Sequence, residues 1–403
     1  MTNIAILGFG VVGSGVAKLI TGNQKEVSAL GGDGVHIKYV LDLRDFPDSE
    51  FADRIVHDFS VIEGDSEVDT VIEVMGGSHP AYEYTVRALR SGKNVITSNK
   101  EVVANFGDEF LAIAKENGAS YRFEAAVGGG IPALSPIISC VKQNRITEVR
   151  GILNGTTNYI LTKMFTYGDD FESALKDAQA RGFAERNPDA DILGTDACRK
   201  IAILTALVTG KLVPTDAIPT EGITAIRPED VLAAEKIDCK IKLLGRCLVS
   251  ENGELAVSVA PTLIPHDKLL ASVNGVYNAI ELVGDPIGEV LFYGPGAGAG
   301  PTASAVVGDL MQIMCSGTRT AAPVFKKSTS QDTFRQSLRA QYYIAMKGGC
   351  PKCAEAAFGK IAEIEASGEL AFLTPMITEA ELEAGAAELT EKGIRVLSKI
   401  RLL

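Results

Sequence analysis

Histidine is scarce in this chain: its 403 residues contain four, and His36, His57, His79 and His266 have no metal-ligand spacing among them. No Walker A sequence, serine nucleophile elbow or HExxH occurs, so the chemistries those motifs carry are excluded. Basic runs are missing as well. With 39 Lys+Arg against 51 Asp+Glu and a formal charge of −12, the chain lacks the clustered positive charge that a nucleic-acid partner needs. The mid-chain apolar stretch Ile201–Val208 falls far short of the ~20 residues that cross a bilayer, so no membrane span is expected. Met1-Thr2-Asn3 lacks a basic leader and leads directly into a strand-like segment, unlike a signal peptide, and a cytoplasmic location is the expectation. The seven cysteines are an odd number, and six of them (Cys140, Cys198, Cys239, Cys247, Cys315, Cys353) sit among apolar or helix-patterned residues. They read as reduced thiols rather than a disulfide framework.

What is present is an ordinary folded composition, 46% hydrophobic and 22% charged, with length for two or three domains. The first 130 residues alternate β-branched runs with amphipathic segments, which predicts an α/β fold with a doubly wound parallel sheet. Strands are expected at Ile4–Leu7, His36–Leu41, Thr70–Val74, Asn94–Thr97 and Ser120–Phe123. Helices are expected at Val12–Leu19, Pro80–Ser91 and Asp108–Asn117. From about Gly128 the pattern changes to α+β, and alternation in Glu254–Ile264 and Val276–Val283 predicts an antiparallel sheet. A glycine-rich loop, Gly294–Gly300, precedes a small-residue helix, 302–317, that is expected to return to the first domain. Thr318–Thr333 reads as a linker. The remainder reads as a strand (Leu338–Met346), a helix (Cys353–Glu365), a strand (Leu370–Thr374), a helix (Glu379–Lys392) and a strand (Ile394–Ile400). The expected domains are therefore 1–132 with the return helix, 133–301, and a small α+β module at 334–403.

Gly8-Phe9-Gly10-Val11-Val12-Gly13 is a G-x-G-x-x-G placed between a strand and a helix. Glycines there permit the tight turn and the approach of backbone to a pyrophosphate, while the helix N-terminus offers N–H groups to the anion. Asp42 and Arg44 follow the second strand; an acid there holds a ribose diol as in NAD, and an arginine accommodates the 2′-phosphate of NADP, so both cofactors stay open. Asn99-Lys100 sits beyond the carboxyl end of a strand, where open α/β sheets place ligands, and a lysine there can exchange a proton with an oxygen undergoing hydride transfer. Glu185, Asp189, Asp191, Asp196 and Lys200 crowd into one stretch. Asp196 and Lys200 share a helix face and can pair, either as an exposed helix pair or as part of a cluster that recognises an ammonium group or a metal. Cys350-Pro-Lys-Cys353 is a C-x-x-C without a second Cys/His pair nearby, and reads as a surface turn with two free thiols.

Taken together, these segments resemble the homoserine dehydrogenase family. Ala178-x-x-x-Gly182-Phe183-Ala184-x-x-Asn187-Pro188-x-x-Asp191-Ile192-x-Gly194-x-Asp196-x-x-x-Lys200 fits the family signature at every fixed position. Ile72–Gly77, Thr97-Ser-Asn-Lys100, Phe123–Pro132 and Gly151–Tyr159 resemble further family blocks. The resemblance implies NAD(P)-dependent interconversion of L-aspartate 4-semialdehyde and L-homoserine, with a hydride moved between C4 and nicotinamide. It makes Lys100 the proton donor or base, Lys200 the group that polarises the substrate oxygen, and Asp196 its pair. Glu185 and Asp191 would hold the amino-acid end with the Asn154-Gly155-Thr156 loop. Cofactor contacts would come from Gly8, Phe9, Gly10, Val11, Val12, Gly13, Arg44, Ser98, Lys100 and Gly298. Glu124 with the carbonyls of Val127, Gly129 and Ile131 would bind a sodium ion.

Many members carry arginine where this chain has Leu41, which leaves NADP against NAD undecided. On the same resemblance, 133–301 is a catalytic and dimerisation domain in a homo-oligomer, dimer or tetramer. The 334–403 tail has the length and ordering of an ACT-type regulatory or assembly domain that takes an amino-acid effector. Its first loop, however, reads Lys347-Gly-Gly-Cys-Pro-Lys-Cys353 in place of the usual acidic residue followed by Pro-Gly. Another Rossmann amino-acid dehydrogenase, or a catalytically silent sensor of nicotinamide nucleotide and amino acid, are the alternative readings.

Overall fold

The alternating pattern of the first 130 residues folds, in the computed structural model, into a six-stranded parallel sheet. Residues 2–26, 34–141, 143–316, 323–328, 333–366 and 368–403 are described, and the chain divides into two units. The first comprises Met1–Asn144, Ala202–Thr215 and Gly294–Ser328. Its strands are β1 (Thr2–Leu7), β2 (Val35–Leu41), β3 (Ile55–Val56), β4 (Thr70–Glu73), β5 (Asn94–Thr97) and β6 (Tyr121–Arg122), in the order β3-β2-β1-β4-β5-β6. Every pairing is parallel. The order reverses direction between β1 and β4, and such a switch point opens a crevice at the carboxyl ends of those strands.

One face of this sheet carries the helix Val11–Gly22 together with Ala299–Ser316. Val16, Ala17 and Ile20 of the first share a core with Ala303, Val306, Val307, Leu310 and Ile313 of the second. A side chain at Gly15 would come within 3.3 Å of the Ala299 carbonyl oxygen and 3.5 Å of the Ala303 Cβ, so the N-terminal ends of the two helices adjoin. Residue 317 and most of the expected linker, 317–322 and 329–332, lie outside the described residues. The described part of that linker is not structureless, since Lys326–Lys327 pairs in parallel with Lys211–Leu212.

One helix begins eight residues earlier than expected, at Lys100 rather than Asp108, and runs to Glu116. Asn99 is its cap: the side-chain oxygen accepts from the N–H groups of Glu101 at 3.2 Å and Val102 at 3.4 Å. That bond satisfies orphan donors of the first turn and fixes the helix start.

The second unit comprises Arg145–Ile201, Asp216–Tyr293 and Thr329–Leu403, built on a nine-stranded mixed sheet. In spatial order its strands are Gly288–Pro295, Tyr277–Asp285, Arg145–Ile152, Cys239–Val249, Leu255–Pro265, Arg395–Leu402, Tyr342–Lys347, Leu370–Leu373 and Ala362–Ile364. The two segments expected to alternate, near 254–264 and 276–283, are both strands of this sheet, though not neighbours. The Cys239–Val249 and Leu255–Pro265 strands form its longest antiparallel pair.

From Tyr342 onward the tail is a βαββαβ unit whose strands lie in the order fourth, first, third, second, an arrangement of the ferredoxin-like type. Its fourth strand pairs in parallel with the Leu255–Pro265 strand through Thr262–Arg401 and Leu263–Leu402, so the tail's sheet is continuous with that of the rest of the unit. The expected helix Cys353–Glu365 is corrected to Pro351–Phe358, followed by the strand Ala362–Ile364. Gly359 at φ +81° ends the helix in a conformation that side chains rarely adopt. Among the described residues no helix is long and apolar enough to cross a membrane.

Candidate active site

In the first unit the glycine-rich turn joins β1 to the helix Val11–Gly22. A Cβ at Gly13 would sit 2.0 Å from the Gly8 carbonyl oxygen, so no side chain fits there, whereas nothing lies within 4 Å of one built at Gly10. The turn is closed behind and open in front. The helix's first hydrogen bond runs from the Ser14 N–H to the Gly10 carbonyl at 3.0 Å, and the N–H groups of Val11, Val12 and Gly13 precede it. An open backbone cradle at a helix N-terminus fits a pyrophosphate, so the residues present suit a dinucleotide. Gly298, exposed, accepts from the Thr302 N–H at the start of the adjoining helix.

Asp42, just past β2, ties the glycine-rich turn to the end of that strand. Its carboxylate accepts from the Phe9 N–H at 2.8 Å and from Arg44 through the backbone N–H, Nε and Nη2 at 2.9–3.0 Å. The Arg44 guanidinium holds the Asp42 carboxyl down to about 2, against the opposing effect of burial. Arg44 also lies over the Phe46 ring, 5.0 Å from its centroid. The acid and the base of the sequence reading are thus one bidentate pair.

Lys100, half-buried, is the first residue of the helix Lys100–Glu116. Its place is set by a chain of bonds that starts at Glu73, a fully buried carboxylate at the end of β4. Glu73 accepts from the Met75 N–H at 2.8 Å and from the Thr97 hydroxyl at 2.5 Å; Thr97 Oγ1 accepts from the Asn99 N–H at 2.9 Å. Asn99 then donates to the Gly77 carbonyl at 2.7 Å and caps the helix that Lys100 begins. The sequence reading gave Glu73 no role, although a charged residue closing an otherwise apolar parallel strand is the signal that marks it.

Burial pushes the Glu73 carboxyl up to about 7, opposed by its hydrogen bond from Thr97. The folded chain therefore binds this proton more tightly than the unfolded chain. The resulting stabilisation is complete below the unfolded value near 4.5 and is lost as pH rises through 7. Glu73→Gln should flatten the dependence of melting temperature on pH between 5 and 8, removing at most about 3 kcal/mol of variation. An unchanged slope in calorimetry would count against it.

In the second unit the polar stretch contains the short helix Asp189–Ile192, followed by the helix Thr195–Thr209. Lys200 Nζ donates to Asp196 Oδ2 at 2.7 Å and to the Leu153 carbonyl at 2.8 Å; both side chains are buried, not the exposed pair that was the alternative. Asn154, the cap of the helix Gly155–Tyr167, donates from Nδ2 to Asp196 at 2.9 Å and to Asp191 at 2.6 Å. Desolvation raises the Asp191 carboxyl above its ordinary range, opposed by the Asn154 bond. Thr156 donates to the Phe183 carbonyl at 2.7 Å, joining the first turn of the same helix to the loop that carries Glu185. Glu185 is exposed, and its backbone carbonyl accepts from Gln179 Nε2 at 3.2 Å. The structure brings Asp191, Asp196, Lys200 and the 154–156 loop together and leaves the Glu185 carboxylate facing solvent.

Glu124, expected to bind a cation, has both carboxylate oxygens engaged elsewhere. They accept from the N–H groups of Leu134 and Ser135 and from the Ser135 hydroxyl at 2.8–2.9 Å, capping the helix Leu134–Val141. Gly129 meets the segment around Gly296 so closely that a Cβ would lie 2.5 Å from the Gly296 carbonyl oxygen. The Glu124 carboxylate is held at the start of the helix Leu134–Val141 by three accepted bonds, one on Oε1 and two on Oε2.

Comparison with known proteins adds a family to this geometry. A profile described as homoserine dehydrogenase matches residues 132–311, and one described as homoserine dehydrogenase, NAD binding domain, matches 8–124. A homoserine dehydrogenase of Bacillus subtilis is 42% identical over 318 residues, 77% of this chain and 72% of its own. That of Mycobacterium tuberculosis H37Rv is 36% identical over 389 residues, 91% and 86% of the two chains. The crystal structure of a homoserine dehydrogenase from Thiobacillus denitrificans superposes with a TM-score of 0.89 at 32% identity, covering 100% of this chain and 98% of that one. A hyperthermophilic archaeal homoserine dehydrogenase mutant in complex with NADPH superposes at 0.65 with 28% identity, covering 77% and 97%.

Proposed function

The chain belongs to the homoserine dehydrogenase family, and from that premise we propose how its residues divide the work. It is an NAD(P)-dependent oxidoreductase acting on L-homoserine and L-aspartate 4-semialdehyde. The nicotinamide, when bound, supplies or receives the hydride at the substrate's C4. In the first unit, the N–H groups of Val11, Val12 and Gly13 bind the pyrophosphate, with Gly8, Phe9, Gly10, Ser98 and Gly298 shaping its surroundings. Lys100 gives a proton to the carbonyl oxygen in the reductive direction and takes one from the hydroxyl in the other.

In the second unit Lys200 polarises the substrate oxygen, and Asp196 keeps its ammonium aimed. Asp191, with Asn154, Gly155 and Thr156, binds the amino-acid end, and Glu185 contributes from the exposed side of the loop. The observation that carries this reading is the continuous chain of bonds from the Leu153 carbonyl through Lys200, Asp196 and Asn154 to Asp191. Such a largely buried, hydrogen-bonded charge cluster on a loop and two helix starts is a preorganised recognition site rather than a solvated helix face.

The tail's βαββαβ order supports reading 334–403 as an ACT-like module, and the 133–301 segment with it as the part that assembles a homo-oligomer. Sodium at the 124–131 turn would be held by the carbonyls of Val127, Gly129 and Ile131. The deciding experiment is the initial rate on aspartate semialdehyde against a panel of other amino-acid carbonyl substrates. It is run with NADH and NADPH in parallel, with and without threonine, and with sodium exchanged for choline, beside light scattering for mass. Cofactor binding without turnover on any substrate would favour a silent sensor and sink the catalytic reading.

The Asp42–Arg44 pair makes cofactor choice testable within the same assay. Arg44→Ala uncovers an ionised carboxylate next to the adenosine ribose, where it repels a 2′-phosphate and still accepts from a diol. kcat/KM for NADPH should fall about tenfold or more while that for NADH changes little. Equal losses with both cofactors would show that Arg44 does not read the phosphate.

A further inference from the structure

Seven cysteines are present, none in a disulfide, and two of them differ from the rest in placement. Cys198, Cys239 and Cys247 are buried, and burial pushes the Cys239 thiol up to about 11. Cys350 and Cys353 instead open the helix Pro351–Phe358 at the surface of the tail. Cys350 is the cap residue and Pro351 occupies the first helical position. The N–H groups of Cys353 and Ala354 point back at the Cys350 carbonyl at 2.9 and 3.2 Å. The two sulfurs lie 2.9 Å apart, Cys350 exposed and Cys353 half-buried against the tail's core. The hydrogen bond from Cys353 and the first-turn N–H groups draw the Cys350 thiol below its ordinary range. A zinc site would need further ligands, and among the described residues no group of three or more His, Cys, Asp or Glu side chains could hold a metal.

We propose that Cys350 and Cys353 form a reversible dithiol–disulfide site that exchanges with small disulfides of the glutathione type, with Cys350 the attacking sulfur and Cys353 the resolving one. An exposed sulfur at a helix N-terminus next to a partly covered partner three residues on is the arrangement that supports directed exchange. In the first step the Cys350 thiolate attacks one sulfur of RSSR, forming Cys350–S–SR and releasing RS⁻. In the second the Cys353 thiolate attacks Cys350 Sγ, breaking the mixed disulfide and releasing the other RS⁻. Two protein thiols are oxidised to one disulfide, RSSR is reduced to two RSH, and the two thiol protons end on the released thiols.

The test equilibrates the full-length protein in glutathione buffers from fully reducing to fully oxidising, quenches with acid, alkylates, and maps the tail peptide by mass spectrometry. Cys350 and Cys353 should disappear together as one two-electron transition, leaving a peptide lighter by two hydrogens. Cys353→Ser should accumulate the glutathione adduct on Cys350, and Cys350 should alkylate at neutral pH at least about tenfold faster than the exposed Cys315. Both cysteines remaining alkylatable across the whole series, or Cys353→Ser showing no adduct, would overturn the proposal. So would oxidation that only links separate chains.

Discussion

Lys100→Ala should lower kcat by about 10²–10⁴-fold, the range a positioned general acid contributes, while nicotinamide nucleotide still binds. The local fold gives no reason for it to fail otherwise. Asn99 continues to cap the helix through Glu101 and Val102, and alanine is a strong helix former at the position Lys100 vacates. The loss should therefore fall on turnover rather than on KM for the cofactor. Lys100→Arg is the sharper control: it keeps the charge but replaces an amine, which can exchange a proton with substrate, by a guanidinium that is not deprotonated in proteins. Turnover within a few fold of wild type in either variant would remove Lys100 from the reaction.

The second large effect concerns the buried pair in the other unit. Lys200→Met leaves Asp196, 4% exposed, without its cation, and breaking a buried pair from one side costs about 3–5 kcal/mol of stability. Asn154 still donates to Asp196, which places the loss at the lower end of that range. Activity should fall too, but an unstable protein would also be inactive. The pair is therefore best removed whole: Lys200→Met with Asp196→Leu exchanges two charges for two apolar groups, a change that is often nearly neutral for stability. The double variant should melt close to wild type and still turn over at least about 10²-fold more slowly. Recovery of turnover along with stability would make the pair a structural bond only.

The strands β1, β2, β4 and β5 of the parallel sheet were legible because each is a short run rich in β-branched residues between helical segments, a pattern set by burial on both faces. The two-residue edge strand β3 is too short to show it. The start of the helix at Lys100 was not legible either. Asn99 had been read for its position beyond β5, and its second use as a cap, which sets where the helix begins, depends on φ, ψ and side-chain direction rather than on residue type. The tail shows the same limit. Ile361–Glu365 alternates in a way that suits a helix end or a strand, and only the positive φ of Gly359 decides between them. At the site, the spacing of Asp196 and Lys200 announced their pairing, because four residues on a helix put two side chains side by side. Spacing said nothing about burial, about Asn154 bridging two carboxylates, or about where the oxygens of Glu124 point. Those depend on what folds against them from segments 10 to 50 residues away.

The helix Ala299–Ser316 has a consequence for the order in which the chain can be completed. It covers Val16, Ala17 and Ile20 on the helix that follows β1, almost three hundred residues upstream. A chain leaving the ribosome exposes that apolar face through the synthesis of the whole intervening unit, and only after Ile313 emerges can the first sheet bury both of its sides. The nucleotide-binding half, though first in sequence, is thus among the last parts to be finished. Any fragment that stops short of residue 299 carries an uncovered hydrophobic surface ready to join another copy.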